Sequence, residues 1–186
     1  MLRKSFLAGL LVAAAAGAAQ IPRKSPEFAI QMTPAGQTLL SSSRGKAVCL
    51  IFIYTTCPHC QKMTVFLNSI QKEYGPRGLQ VMGAAFNPMA NMHVPDFNQK
   101  FRPAFPVGHT TREAVLEYLQ HSPIMQFYVP IMVFIDREGI IRKQAMGDDA
   151  FFQDQEKNTR LAIEEMLKPA ASTRKAAPVA AKKKTS

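Results

Sequence analysis

Residues 46–63 read KAVCLIFIYTTCPHCQKM, and the other elements of the chain can be placed relative to this stretch. Its first ten residues form a nearly continuous apolar and β-branched run, which is typical of a strand buried on both faces of a sheet. Pro58 follows Cys57, and large apolar residues then recur every three or four positions until Gly75-Pro76-Arg77-Gly78 ends the pattern. The sequence therefore predicts a buried strand that leads directly into an amphipathic helix with proline in its first turn.

The regions after this helix alternate between apolar runs and helical patterns. The first strand, its helix and the next strand predict a βαβ unit with a right-handed crossover, which is typical of an α/β fold. Further strands are predicted at Leu79 to Phe86, Val129 to Asp136 and Ile140 to Ala145, further helices at Met92 to Phe101, Arg112 to Gln120 and Asp149 to Leu167, and a hairpin at Phe28 to Met32 with its turn at Pro34-Ala35-Gly36. The apolar positions expected in the last helix are Phe152, Leu161, Ile163 and Leu167.

Composition and charge exclude several classes of protein. The chain is 47% apolar and only 19% charged, which excludes a wholly disordered protein, and three Cys cannot build a disulfide-dense scaffold. The formal net charge is +10, but between Gln20 and Lys168 the 16 Lys and Arg face all 13 Asp and Glu. Most of the excess charge therefore belongs to the two ends, and no nucleic-acid-binding face is expected.

The N-terminal segment predicts export, and the C-terminal segment predicts a disordered tail. Arg3 and Lys4 precede an apolar run from Phe6 to Ala19, with an Ala-x-Ala-like site at its end, as in a secretory signal. The run is shorter than the roughly 20 residues that span a bilayer, so we expect cleavage, with an uncleaved membrane anchor as the alternative. The expected parts are a signal peptide over 1–19, a globular domain over 20–168 and a disordered basic tail over 169–186, in the periplasm or another extracytoplasmic compartment.

The motif Cys57-Pro58-His59-Cys60 has the chemistry of a redox-active dithiol. At a helix N-terminus, free backbone N–H groups and the positive end of the helix dipole stabilise a thiolate on Cys57, which is the attacking species in disulfide exchange. Cys60 lies one turn further along and is expected to be more shielded. His59 adds a second cationic or hydrogen-bonding group, so we expect a stabilised reduced form and an oxidising couple.

Other interpretations of these residues are weaker. A zinc site would need a second pair of ligands, whereas Cys49 lies within the predicted strand and is expected to be a small buried apolar residue. A C-x-x-C disulfide closes too small a ring to stabilise a fold appreciably. The remaining histidines and three phenylalanines have no regular ligand spacing and are expected to be structural, namely His93, His109, His121, Phe101, Phe105 and Phe127.

The stretch RGKAVCLIFIYTTCPHCQKM and the later VPIMVFIDREGII together resemble the thioredoxin-like thiol-disulfide oxidoreductases, within them the exported TlpA/ResA-like branch. The resemblance covers roughly Phe28 to Lys168 and implies a thioredoxin fold, a central mixed sheet with helices on both faces. It implies that Cys57 is the nucleophile and Cys60 the resolving thiol. It also implies that Pro130 is a cis-proline facing them, so that the backbone of Val129 pairs with a substrate strand.

Several residues depart from this resemblance. Thr56 replaces the aromatic residue usual before the first Cys, Ile51 stands where thioredoxins have a buried acid, and Met63 stands where many TlpA/ResA-like proteins have Glu. Loss of both acids argues against efficient deprotonation of Cys60 and against a reductant. The Pro58-His59 dipeptide resembles the oxidase DsbA, although the chain has no room for the large helical insertion of that protein.

The leading hypothesis is an exported thiol-disulfide oxidoreductase that acts on cysteine-containing proteins and exchanges electrons with an unidentified redox partner. No bound cofactor is expected, because the dithiol carries both electrons. A thioredoxin-like peroxidase is an alternative, but Thr55-Thr56-Cys57 lacks the Thr-x-x-Cys spacing. A copper or cytochrome-maturation chaperone is another, with third-ligand candidates only at Met89, Met92 and His93.

Overall fold

A computed structural model describes residues 19–34 and 36–168 of the chain. The predicted signal segment, apart from Ala19, and the predicted tail from residue 169 lie outside these residues. Within the described part of the chain, no helix is both long enough and apolar enough to cross a membrane.

Within the part of the chain that the structure describes, eight strands form one mixed sheet. They are β1 (Arg23–Lys24), β2 (Ala29–Gln31), β3 (Gln37–Leu39), β4 (Ala47–Ile53), β5 (Leu79–Ala85), β6 (Val107–His109), β7 (Ile131–Ile135) and β8 (Ile140–Ala145). Their order in the sheet is β1-β8-β7-β4-β5-β6-β2-β3. The central strand, β4, pairs in parallel with β5 and antiparallel with β7, and all seven of its residues are buried.

Helices cover both faces of the sheet because the side chains of β4 alternate between two apolar cores. The helices are α1 (Pro58–Tyr74), α2 (Ala90–Phe101), α3 (Arg112–Leu119) and α4 (Gln155–Leu167). Cys49, Ile51 and Ile53 belong to one core with α1, α2 and α4, whereas Leu50 and Phe52 belong to the other with α3 and β2. This is the predicted thioredoxin fold.

Some sequence-based expectations need correction. The last helix begins later than expected, because Ala150–Asp154 forms a separate 3₁₀ turn before α4. Leu161, expected to be a core position, is 58% exposed, whereas Ile163 and Leu167 are buried. The third strand starts at Ile131 rather than Val129. The two- and three-residue strands β1 and β6 were not predicted, because such short runs have no periodicity of their own.

Candidate active site

The turn between β4 and α1 presents Cys57 at the carboxyl edge of the central strand. The backbone N–H of Cys57 donates to the carbonyl of Tyr54 at 3.1 Å, which closes a turn over residues 54–57. Cys57 is itself the N-cap of α1, with extended backbone angles, and Pro58 occupies the first helical position. A proline costs nothing there, because the first helical N–H groups have no partner within the helix. The predicted placement of Cys57 at a helix N-terminus is confirmed.

The two thiols of the motif sit in different environments. The N–H of Cys60 lies 3.5 Å from the Sγ of Cys57 and points towards it, so a backbone donor faces the first sulfur. Cys57 is half-buried, whereas Cys60 is completely buried, and burial raises the pKa of the Cys60 thiol. The arrangement provides one accessible sulfur and one shielded sulfur a single helical turn apart.

Val129 and Pro130 lie at the same edge of the sheet as Cys57. Strand β7 runs antiparallel to β4, and Ile131 pairs with Phe52 near the end of β4, so the residues just before β7 lie beside the turn that follows β4. Val129 packs against the same apolar core as both cysteines of the motif. The Val129–Pro130 peptide bond is cis, as expected. That these two residues bind substrate stays a prediction.

The motif has an apolar core on one side and solvent on the other. Ile51 and Met63, which stand where the resemblance to thioredoxin-like proteins implies an acid, are fully buried in the core that contains Cys60. Pro58 and His59 are exposed on the first turn of α1. The only protein group that could add positive charge from within the motif is therefore His59.

Sequence reasoning missed two residues that hold this turn. Asn87 follows β5 and accepts hydrogen bonds through Oδ1 from both the N–H and the hydroxyl of Thr55. Gln61, on α1, donates from Nε2 to the carbonyl of Thr55 at 2.9 Å. The available signal was the Asn87-Pro88 pair at the carboxyl end of the strand parallel to β4, since such strand ends meet at one edge of a sheet.

The other residues considered from the sequence differ in their burial and contacts. Cys49 is fully buried in β4, and burial raises the pKa of its thiol to about 12. Phe105 is buried and Phe101 is half-buried, while the rings of His121 and Phe127 are in edge-to-face contact. Met89, Met92 and His93 are exposed around the start of α2. Over residues 19–34 and 36–168, no cluster of three His, Cys, Asp or Glu could hold a metal ion.

Comparison with known proteins identifies the family of the chain. Residues 21–144 match the family described as AhpC/TSA. The chain belongs to the AhpC/TSA family. Its curated relatives include two proteins named thiol-disulfide oxidoreductase ResA, from Bacillus thuringiensis (strain Al Hakam) and Bacillus anthracis. Each is 22% identical over 129 residues, which cover 69% of this chain and 71% of the relative.

Solved structures of similar proteins show the fold of this AhpC/TSA member. A thiol:disulfide interchange protein of the thioredoxin family from Chlorobium tepidum TLS has a TM-score of 0.66 at 20% identity, with 81% of this chain and 100% of that chain covered. A thiol:disulfide interchange protein from a Bacteroides species has a TM-score of 0.63 at 16% identity, with coverages of 83% and 94%. Both likenesses are to thioredoxin-fold proteins.

Proposed function

We propose that this chain is an extracytoplasmic thiol-disulfide oxidoreductase that exchanges disulfides with cysteine-containing proteins through Cys57 and Cys60. The observation that carries the proposal is the pair of unlike thiols, with Cys57 capping α1 and accepting from the N–H of a buried Cys60. A thiolate at that position is stabilised by the helix N-terminus and is open to attack a partner. The names of the curated relatives support the same reaction class.

The reaction needs only the two sulfurs. In the reducing direction, the Cys57 thiolate attacks one sulfur of a substrate disulfide, the substrate S–S bond breaks, and a substrate thiolate leaves. Cys60 then loses its proton and attacks the Cys57 sulfur, which releases the second substrate thiol and leaves the Cys57–Cys60 disulfide. Two electrons pass to the substrate, and the oxidising direction is the reverse sequence. An unidentified redox partner restores the starting state.

The neighbouring residues have supporting roles in this proposal. Pro58 starts the helix without requiring a partner for an N–H, and His59 favours the thiolate through its positive charge or its N–H. The backbone of Val129, held before Pro130, pairs with an extended substrate segment. With Ile51 and Met63 in place of acids, no carboxylate at those positions opposes the Cys57 thiolate, which favours an oxidant over a reductant.

The proposed location rests on the predicted signal segment and on the chemistry. Disulfides form and persist outside the cytosol, where a dithiol that exchanges them has substrates. Neither a nucleic acid nor a bound cofactor has a role in the proposal, and contact with a membrane would occur only through an uncleaved signal anchor. The peroxidase and metal-chaperone alternatives gain no specific support from the described residues.

Trapping of the reaction intermediate tests the proposal. Cys60→Ser should accumulate a mixed disulfide between Cys57 and a disulfide-bonded peptide, visible by non-reducing electrophoresis and mass spectrometry, because the resolving thiol is missing. Cys57→Ser should form none, and Cys49→Ala should exchange disulfides like the wild type. Mixed disulfides on Cys60 in the Cys57→Ser protein would reverse the assignment, and failure of the wild type to exchange any disulfide would refute the function.

A further inference from the structure

We propose that Asn87 is a positioning residue for disulfide exchange, which it supports by fixing the turn that presents Cys57. This inference rests on the proposed function and adds a residue to it. Asn87 lies outside the C-x-x-C motif and 30 positions after Cys57 in the chain. It acts through Thr55, and nothing in the proposal requires it to touch the substrate.

The contacts of Asn87 concentrate on one residue of the turn. Its Oδ1 accepts from the Thr55 backbone N–H at 2.9 Å and from the Thr55 hydroxyl at 3.2 Å. Its Nδ2 donates to the carbonyl of Pro88 at 3.1 Å, so the amide orientation is fixed by its own chain. Asn87 is 8% exposed, and hydrogen bonds shielded from water in this way are costly to lose.

Thr55 is held from two elements at once. Asn87 binds its N–H and hydroxyl from the end of β5, and Gln61 binds its carbonyl from α1. Thr55 is the second residue of the turn that Cys57 closes onto Tyr54. The two side-chain amides therefore fix the position of Thr55, which lies between the end of β4 and the start of α1, relative to β5 and α1.

The position of this turn sets the geometry of the attacking sulfur. The Sγ of Cys57 accepts from the Cys60 N–H at 3.5 Å, a contact whose distance and angle depend on the position of the turn. Loss of that donor would leave the thiolate less stabilised and worse aligned, and misplacement by about 1 Å can lower a rate by as much as about 100-fold. Asn87 is thereby coupled to the sulfur without contacting it.

The test compares Asn87→Ala with Asn68→Ala. Asn68 is a matched control, because its side chain, like that of Asn87, makes three hydrogen bonds, in this case with backbone groups of Phe101, Arg102 and Ala104. It lies in α1 about 16 Å along the helix axis from Cys57, taking 1.5 Å per residue. For each variant we would measure the exchange rate with a disulfide-bonded peptide, the pH midpoint of thiolate ultraviolet absorbance, and the free energy of unfolding.

Asn87→Ala should exchange disulfides roughly tenfold more slowly than the wild type, with its thiolate midpoint at higher pH, because the misaligned sulfur loses a donor. Asn68→Ala should lose stability but keep both the rate and the midpoint. Thr55→Val removes only the hydroxyl bond and should have a smaller effect, and Thr55→Val with Asn87→Ala should equal Asn87→Ala alone, because the two changes remove the same contact.

The wild-type exchange rate distinguishes failure of the positioning role from failure of the proposed function. If the wild type exchanges disulfides and Asn87→Ala matches Asn68→Ala in both rate and thiolate midpoint, the positioning role is wrong while the function stands. If the wild type itself exchanges nothing, the proposed function fails. Should Asn87→Ala not fold, a Thr55→Val protein with an unchanged rate and midpoint would likewise overturn the inference.

Discussion

At the scale of single residues, environment separates two chemically identical thiols three positions apart. Cys57 caps α1 with its sulfur facing a backbone N–H, whereas Cys60 is directed into an apolar core that contains Ile51 and Met63. Burial without a charged partner disfavours the thiolate of Cys60, while a helix N-terminus favours that of Cys57. The proposed order of attack, Cys57 first and Cys60 second, rests on this difference.

A substitution at His59 tests whether the protein acts as an oxidant or as a reductant. We expect His59→Asn to lower the reduction potential by about 30 mV, which corresponds to about 1.4 kcal/mol for a two-electron couple, because the proposed stabilisation of the Cys57 thiolate by His59 is lost. Equilibration with glutathione buffers measures the potential. His93→Asn is the matched control, since His93 is also exposed but lies on α2. A wild-type potential at or below about −270 mV, the thioredoxin value, would contradict the oxidising direction.

At the scale of elements, β4 connects the fold to the candidate site. Its two faces belong to two apolar cores, and the turn that follows it leads into the cysteine motif. Cys49 occupies the middle of this strand, opposite Val81 on β5 and Phe134 on β7. Such a position is closed to solvent on both sides. We therefore expect the Cys49 thiol to contribute to packing and to take no part in disulfide exchange.

Burial of Cys49 should appear as a loss of stability at alkaline pH. Its pKa is raised from 9.0 to about 12 in the folded protein, so above pH 9 the unfolded chain releases this proton first. The stabilising contribution is complete below pH 9 and is lost as pH rises towards 12, by about 1 kcal/mol between pH 9 and 10. In a Cys57→Ser/Cys60→Ser background, urea unfolding of Cys49→Ala should show a shallower alkaline decline. Equal slopes with and without Cys49 would disprove this.

A second prediction concerns the contact between β6 and β2. A Cβ at Gly108 would clash with the backbone oxygen of Gln31 and lie 2.7 Å from the Ile30 side chain. Gly108→Ala should therefore force the hairpin away from the sheet and lower the free energy of unfolding by about 3 kcal/mol. In Gly139→Ala, by contrast, the Cβ meets no atom within 4 Å, and the strain of a φ of +79° alone should cost about 1 kcal/mol. Similar losses for both would remove the steric explanation.

At the scale of the whole molecule, redox state and folding stability are linked. An oxidising couple is one whose dithiol form is stabilised by the folded protein more than its disulfide form. The reduced protein should therefore unfold at a higher urea concentration than the oxidised protein. Its free energy of unfolding should be larger by about 1.4 kcal/mol for each 30 mV by which the reduction potential of the folded protein exceeds that of the unfolded chain. Paired unfolding curves measure the difference. A more stable oxidised form would point to a reductant instead.

The sequence alone was sufficient for the features that arise locally. The apolar run over residues 46–55, the three- and four-residue spacing after it and Pro58 in the first turn predicted β4, α1 and the position of Cys57. Hydrophobic periodicity and helix capping act between residues close in the chain, so both can be seen in a single stretch of sequence. The resemblance to thioredoxin-like proteins added the remaining architecture.

Tertiary structure alone decided the features that join distant residues. Asn87 reaches Thr55 only because β5 aligns in parallel with β4, and Val129 lies beside the motif only because β7 pairs antiparallel with the same strand. The exposure of Leu161 and the pairing of the short strands β1 and β6 likewise depend on which element packs nearby. Register between strands is set by packing across the whole sheet, and no local pattern encodes it.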